Sequence, residues 1–164
     1  MKPKHLLIVA LLVPCLAGAA TSGNTFQVTA TVISSCTVSG TTLNFGSAID
    51  ALATATPLDA TSTLSVQCTN TTPYAVSLNA GSNAGGASNF SARAMKSGIR
   101  TLPYQLYVDA GHSSVWGDGT ASSATSSGTG TGNVQTVSIY GRLPSLANVV
   151  PGSYSDTVTV TITY

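Results

Sequence analysis

The sequence is poor in charged residues, and it contains no glutamate. Charged residues make up 7% of its 164 residues, whereas hydrophobic residues make up 43%. A disordered chain needs low hydrophobicity and high net charge, so this composition indicates a folded protein. The length suits one domain with its own core. A net charge close to zero gives no electrostatic basis for binding nucleic acid or an anionic membrane.

Residue types that carry catalysis are also scarce. His112 is the one histidine beyond residue 5, and it lies in a Gly/Ser-rich stretch. The chain has no G-x-S-x-G motif, and no pair among its five aspartates stands out as an acid–base pair. The run Gly128-Thr-Gly-Thr-Gly132 lacks the third glycine of a dinucleotide-binding fingerprint. We therefore predict a protein that is not an enzyme and that uses no cofactor, metal or small-molecule substrate.

The first 19 residues have the features of a secretory signal peptide. Lys2 and Lys4 precede a short apolar run over residues 6–16, and Ala17-Gly18-Ala19 provides a cleavage site. The apolar run is too short to span a bilayer comfortably. A lipoprotein with lipid on Cys15 is a less favoured alternative, because Pro14 stands where a small residue is needed. We predict an exported protein.

Cysteine is rare, and only Cys36 and Cys68 remain after removal of the signal peptide. Disulfides persist in export compartments, so we expect these two residues to pair. The bond would stabilise the fold by about 3–4 kcal/mol if it acts by restricting the unfolded chain. The alternative, two free thiols that bind a metal, lacks further ligands, since there is no C-x-x-C motif and no nearby histidine.

Apolar and polar residues alternate in several stretches, and alternation with a period of two indicates half-buried β-strands. The last stretch, residues 157–164, alternates threonine with valine, isoleucine or tyrosine, which are all residue types that favour strands. No stretch beyond the signal peptide has helical periodicity. We predict about six main strands, over residues 26–32, 63–68, 74–78, 102–109, 134–141 and 157–164, with a further short strand over 41–46.

These strands and the turns between them predict an all-β, immunoglobulin-like β-sandwich. Gly152-x-Tyr154-x-Asp156 matches the tyrosine corner that opens the sixth strand of such sandwiches. The printed sequence has no stretch after that strand to form a seventh. We therefore expect an incomplete sandwich whose last strand is missing.

A sandwich without its last strand exposes an apolar groove and an unpaired backbone edge, which can pair with another chain. Residues 20–33 contain a segment that could fill such a groove in a neighbouring subunit, and repeated head-to-tail filling would build a fibre. Whether this segment is the donor strand or the first strand of its own domain stays open, with residues 34–164 as the sandwich domain. The donor candidates are Phe26, Val28, Ala30 and Val32.

Two polar stretches are predicted to be loops. The first, residues 79–98, contains or adjoins Arg93, Lys96 and Arg100. We interpret it as a solvated loop, with a polar contact to a partner subunit as the alternative. The second, residues 110–133, contains Trp116, which we predict to be a packed anchor of the loop rather than a platform for sugar rings.

Motifs along nearly the whole exported part of the chain resemble the spore coat protein U domain family, which includes pilin subunits of archaic, Csu-type chaperone–usher pili. In order they are Phe26-Gln-Val-Thr-Ala-Thr-Val with Cys36, Leu43-Asn-Phe-Gly46, Val66-Gln-Cys68, Arg93-Ala-Met95, Leu102-x-Tyr104-x-Leu106-Tyr107-x-Asp109, Trp116-Gly117, Tyr140-Gly-Arg-Leu-Pro144, and Gly152-x-Tyr154-x-Asp156 followed by the alternating end of the chain.

The resemblance implies a structural pilus subunit that supports surface adhesion and biofilm formation. A periplasmic chaperone would lend a strand to the incomplete sandwich, and an outer-membrane usher would exchange it for the N-terminal strand of the next subunit. The protein would pass through the periplasm to the cell surface. With a single domain it looks more like a shaft or adaptor subunit than a two-domain tip adhesin. The implied acceptor groove is lined by Val158, Val160, Ile162 and Tyr164.

Two alternatives of other classes remain. The spore-coat name of the family leaves a structural protein of a spore coat open. A secreted carbohydrate-binding β-sandwich would need a complete, monomeric fold with exposed aromatic platforms, for which Trp116, Tyr104 and Tyr107 are the candidates.

Overall fold

The computed structural model describes residues 18–164. The basic and apolar parts of the predicted signal peptide, including Cys15, lie outside these residues. In the described part of the chain, no helix is long and apolar enough to cross a membrane. The chain divides into two compact units at Val32 and Ile33.

The first unit, as far as it is described, has no regular secondary structure. The strand predicted over residues 26–32 is therefore not formed. Its large apolar side chains are exposed to solvent: Phe26 is 88% exposed, Val28 82% and Val32 88%. Apolar side chains of this size are usually buried, so the segment displays surface that suits contact with another molecule.

The second unit is all-β, as predicted, with one short 3₁₀-helix at Phe90–Ala92. A four-stranded antiparallel sheet has the order β1-β2-β8-β6, a three-stranded sheet the order β7-β3-β9, and β4 and β5 form a hairpin. The strands are β1 (Cys36–Gly40), β2 (Leu58–Cys68), β3 (Pro73–Leu78), β4 (Ala94–Ser97), β5 (Arg100–Pro103), β6 (Gln105–Tyr107), β7 (Ser126–Thr129), β8 (Val134–Leu143) and β9 (Val160–Thr163).

The core lies between the two larger sheets and follows from the alternation in their strands. In β2, alternate residues from Ser62 to Cys68 are buried while the residues between them are exposed. One face of each strand thus packs inward, as a period of two requires. The buried residues of this core are Leu64, Val66, Cys68, Tyr74, Val76, Leu78, Leu102, Tyr104, Leu106, Trp116, Ile139, Leu143 and Leu146.

The predicted disulfide is present. Cys36 and Cys68 are bonded to each other and lie opposite one another in the register of β1 and β2. Beyond this pair the ladder continues through a hydrogen bond from the Thr69 amide to the Ser35 carbonyl, at 2.9 Å. The bond therefore fixes the start of the sandwich immediately after residues 18–32.

Several strand boundaries differ from the predictions. Residues 41–46 form no strand, although Leu43 and Phe45 still pack against the core. The predicted strand over 102–109 is divided between the β4–β5 hairpin and the four-stranded sheet. Pro103 has no N–H for a ladder, and the Tyr104 amide donates instead to the Arg93 carbonyl, at 3.1 Å. The two predicted loops also contain short strands, β4 in the first and β7 in the second.

Candidate functional site

An open groove of about 1470 Å³ runs along one side of the sandwich domain. Two chain segments line it, residues 40–52 on one side and residues 146–160 on the other. Side chains of the hydrophobic core form its deeper part, including Leu64, Leu78 and Leu106. A cleft that reaches the core at this point is what a sandwich leaves when one strand is missing.

The strand beside this groove, β9, has a partner on only one of its sides within residues 18–164. It pairs antiparallel with β3 and is the last strand of its sheet among the described residues. The edge strand of the other sheet, β1, approaches β9 without pairing to it. An unpaired strand edge carries N–H and C=O groups that can bind another extended chain.

The hydrogen-bond pattern shows which residues offer these free groups. The amide of Asn79 donates to the carbonyl of Thr159 at 3.0 Å, so Thr159 faces β3 and the residues that continue it. In an antiparallel pair, alternate residues direct their backbone groups to the partner strand. The backbone groups of Val158, Val160 and Ile162 consequently point away from β3, toward the unpaired side.

The side chains of the same residues face the interior. Val158, Val160 and Ile162 are half-buried and pack against the core, whereas the four threonines between and beside them are exposed. Val158 and Val160 line the groove, Ile162 lies further along the same face, and the Tyr164 side chain at the end of the chain is 57% exposed. Three of the four predicted acceptor residues thus share one inward face.

The groove is also lined by residues 40–52, a segment that the sequence analysis did not assign to a groove. Leu43, Phe45 and Ile49 pack against the core from residues 40–52. Leu43 and Phe45 occupy the space over Gly141 in β8, where an added Cβ would lie 2.9 Å from Leu43 and 3.0 Å from Phe45. The alternation of Leu43 and Phe45 with polar residues was the available signal: it led to the prediction of a short strand, and the structure has the two apolar side chains packed inward without a strand.

The turn that leads into the last strand contains the predicted tyrosine corner. The Tyr154 hydroxyl donates to the carbonyl of Val150, at 2.8 Å, four residues upstream. This contact ties the start of residues 154–164, which we call the acceptor segment, to the preceding loop and supports the immunoglobulin-like assignment.

A polar cluster forms part of the lining of the groove. The Tyr104 hydroxyl donates to Asp156 at 2.8 Å, and the Asn83 side chain donates to the same carboxylate at 2.9 Å. Burial, together with the hydrogen bond to Asp156, raises the pKa of Tyr104 above its ordinary value. Tyr104 and Asp156 both line the groove, so this cluster adds hydrogen-bonded polar groups to a lining that is apolar for the larger part.

The other sequence candidates lie outside the groove. Trp116 is fully buried, and its indole N–H donates to the carbonyl of Val76 at 3.0 Å, which confirms a packed anchor. Tyr107 is half-buried and meets His112 edge-on. Lys96 and Arg100 are exposed on the β4–β5 hairpin. Within residues 18–164 no group of three or more metal-ligating side chains comes together.

A family model described as the Spore Coat Protein U domain matches residues 23–161. Protein U of Myxococcus xanthus is 34% identical, over 90% of this chain and 88% of that protein.

A solved structure is similar as well. It is the CsuC–CsuE chaperone–tip adhesion subunit pre-assembly complex from the archaic chaperone-usher Csu pili of Acinetobacter baumannii, which matches with a TM-score of 0.58 and 27% identity. The match covers 82% of this chain, which spans 40% of the length of the solved chain.

Proposed function

The chain belongs to the Spore Coat Protein U domain family, and on that premise we propose that it is a structural pilus subunit whose groove takes up an extended strand from another subunit. The observation that carries this proposal is the combination of an open apolar groove with an unpaired strand along its side. Addition of a strand to an exposed sheet edge is an established recognition mode, in which backbone hydrogen bonds give affinity and alternate side chains give specificity.

The occupant we propose is the segment over residues 20–33 of a second copy. Its inward-facing set would be Phe26, Val28, Ala30 and Val32, which follow one another at the two-residue spacing of a strand. Full burial of one valine or phenylalanine side chain contributes about 1.5–3 kcal/mol. Several such side chains are needed, because ordering the segment and joining two molecules opposes binding.

The proposed donor strand would also explain why residues 41–46 pack inward without forming a strand. This segment alternates as a strand does and packs Leu43 and Phe45 inward, yet it forms no strand. A donor lying between it and β9 would supply the missing backbone partner on one side. Both walls of the groove would then hydrogen-bond to the same inserted strand.

Polymerisation follows from this geometry. Each subunit would offer a donor segment and an empty groove, and contacts of this head-to-tail kind do not close on themselves, so they build a fibre. In the proposed pathway a periplasmic chaperone covers the groove first, and an outer-membrane usher then exchanges the chaperone strand for the donor of the next subunit. The similarity to a chain of a chaperone–subunit complex supports such partners.

Charged substitutions in the donor segment test the assignment. Val28→Asp or Val32→Asp should abolish fibres, because a carboxylate would have to be buried in the groove without a partner. The same variants should still bind the chaperone, since their own groove is unchanged. Thr29→Asp, on the opposite face of the donor strand, is the matched control and should polymerise. Normal fibres from the Val28 and Val32 variants would refute the donor assignment.

A structural protein of a spore coat is the second candidate, favoured by the 34% identity to Protein U of Myxococcus xanthus. Immunogold labelling of the producing cells separates the two roles: pili place the label on extended surface fibres, and a coat protein places it in a layer around the spore. A carbohydrate-binding module is disfavoured, because two of its three predicted platforms, Trp116 and Tyr104, are buried.

A further inference from the structure

Arg93 is an unusual residue for the interior of this domain, because its side chain is only 1% exposed. Burial lowers its pKa to about 10, so it carries its charge at neutral pH. Its guanidinium lies 5.2 Å from the centre of the Phe90 ring, and within the described residues its Nε has no hydrogen-bond partner. Burying a charge is costly unless the charge makes compensating contacts, so the contacts of Arg93 indicate its role.

Those contacts fix the backbone at the end of β3. One terminal nitrogen, Nη2, donates to the carbonyl of Asn79 at 2.7 Å, and the other, Nη1, donates to the side-chain oxygen of Gln105 at 2.9 Å. Gln105 is held in turn, because its amide nitrogen donates to the carbonyl of Phe90 at 2.9 Å. The rigid fork of arginine can hold two acceptors in fixed directions, which the flexible, point-like charge of lysine cannot do equally well.

Asn79, which Arg93 holds in place, in turn binds the backbone of the acceptor segment. Its backbone amide donates to the Thr159 carbonyl at 3.0 Å, and its side-chain oxygen accepts the Thr159 amide at 2.9 Å. The same oxygen accepts the Gly81 amide at 3.0 Å. A single residue thus binds both backbone groups of Thr159, immediately beside the groove-lining Val158.

Neighbouring contacts hold the preceding residues from the same side. The Ser82 amide and hydroxyl both donate to the Thr157 carbonyl, each at 3.0 Å. Asn83 donates to the Ser155 carbonyl at 3.2 Å, and the backbone of Ser155 also exchanges two hydrogen bonds with that of Lys96 in β4, at 2.9 and 3.1 Å. In contrast, the backbone of Val158 makes no hydrogen bond to any residue from 18 to 164. The segment is therefore anchored along one side and open along the other.

We propose that Arg93 and Asn79 are positioning residues that hold the backbone of Thr159 against the end of β3, so that the backbone of the adjacent Val158 faces the open groove, and that they thereby set how fast a donor strand is captured. This inference rests on the proposed function of the groove. Neither residue lines the groove, so each acts through the backbone of the acceptor segment and not by touching the donor.

Capture of a labelled peptide measures this role. The full exported chain carries Val28→Asp, so that its own segment does not compete, and is refolded from urea with a fluorescent peptide spanning residues 24–33. Fluorescence polarisation follows the capture of the peptide over time. Asn79→Ala should slow this capture by about tenfold, because the Thr159 amide loses its hydrogen-bond acceptor. Asn79→Asp keeps that side-chain acceptor and should capture the peptide at nearly the normal rate.

A remote core variant separates positioning from general stability. Val66 is fully buried and does not line the groove, so Val66→Ala should lower the melting temperature without slowing capture. Hydrogen exchange adds a local readout: in Asn79→Ala the Thr159 amide should lose protection while the β2–β8 amides keep theirs. Arg93→Lys, which keeps the charge but not the two-pronged contact, provides a second variant if Asn79→Ala does not fold, and it should also slow capture.

The outcomes are distinguishable. If Asn79→Ala and Arg93→Lys capture the peptide as fast as Val66→Ala does, the positioning role is overturned and the proposed function stands. If the protein with unmodified Asn79 and Arg93 captures no peptide, the proposed function itself fails, and the inference fails with it.

Discussion

At the scale of single residues, the long loops of this domain are held by a few buried side chains. Trp116 lies in a Gly/Ser-rich loop but is fully buried against β3. Sequence alone indicated this role, because an isolated aromatic residue usually packs. It did not indicate the role of Arg93, since a cation in a polar stretch is ordinarily solvated. Only the tertiary contacts to Asn79 and Gln105 explain why Arg93 is buried.

Replacement of Trp116 tests the anchoring role. Trp116→Ala should lower the free energy of unfolding by about 3–5 kcal/mol, because it leaves a large cavity in the core. Trp116→Phe keeps most of the packing and should cost less, since it mainly loses the hydrogen bond to the Val76 carbonyl. Urea denaturation of a soluble, strand-complemented form measures both. A loss of under about 1 kcal/mol for the alanine variant would contradict burial of the ring.

The ion pair between Asp59 and Arg142 predicts a modest dependence of stability on pH. Two hydrogen bonds from Arg142, at 2.7 and 2.8 Å, hold the pKa of Asp59 below its ordinary value, with a smaller effect from His112. A lowered folded-state pKa stabilises the fold above the unfolded-state value of about 3.9, and the stabilisation is lost as the pH falls through the folded-state value.

The expected effect is small, since this pair lies at the surface. Denaturant titrations at a series of pH values from neutral to acid measure it. Asp59→Asn and Arg142→Gln should each flatten the acid limb of the stability profile. An unchanged acid limb in both variants would show that the pair does not contribute.

At the scale of secondary-structure elements, alternation predicted the strands at the centre of the two larger sheets. It found β2, β3 and β8, which pair along most of their length. It failed for residues 26–32 and 41–46, because a strand forms only when another backbone is available to pair with it. It also missed β1, β4 and β7, which are short and rich in small and polar residues, so that their pairing is set by tertiary contacts.

The two faces of β9 provide a matched pair of variants for the acceptor site. Val160→Lys places a charge in the groove and should block uptake of a donor strand, because the charge would be buried without a partner. Thr161→Lys places the same charge on the exposed face of the same strand and should have little effect. Both are assayed by binding of the peptide over residues 24–33. Equal binding by the two variants would show that the donor does not contact the inward face.

At the scale of the whole molecule, the central prediction from the sequence was an incomplete sandwich. The all-β, pilin-type fold is confirmed, and the structure has the groove and the unpaired strand that a missing strand leaves. The second wall of the groove, residues 40–52, could not be predicted, because its position depends on how Leu43 and Phe45 pack over Gly141. The donor, the chaperone and the usher remain proposals that the sequence first suggested.

Incompleteness of this kind has a direct consequence for the isolated protein. A domain with an open apolar groove should be poorly stable alone and should gain stability from any strand that fills the groove. If copies exchange strands as proposed, many backbone hydrogen bonds become buried, so the resulting polymers should resist denaturing detergent and separate only on heating.

The most direct test is therefore to export the protein with and without a chaperone of this pilus class and to compare unboiled and boiled samples on a denaturing gel. Strand exchange predicts a ladder of oligomers that disappears on boiling, and a soluble one-to-one complex when the chaperone is present. A stable monomer in both samples, with no need for the chaperone, would mean that the sandwich completes itself, and it would contradict the pilus-subunit account.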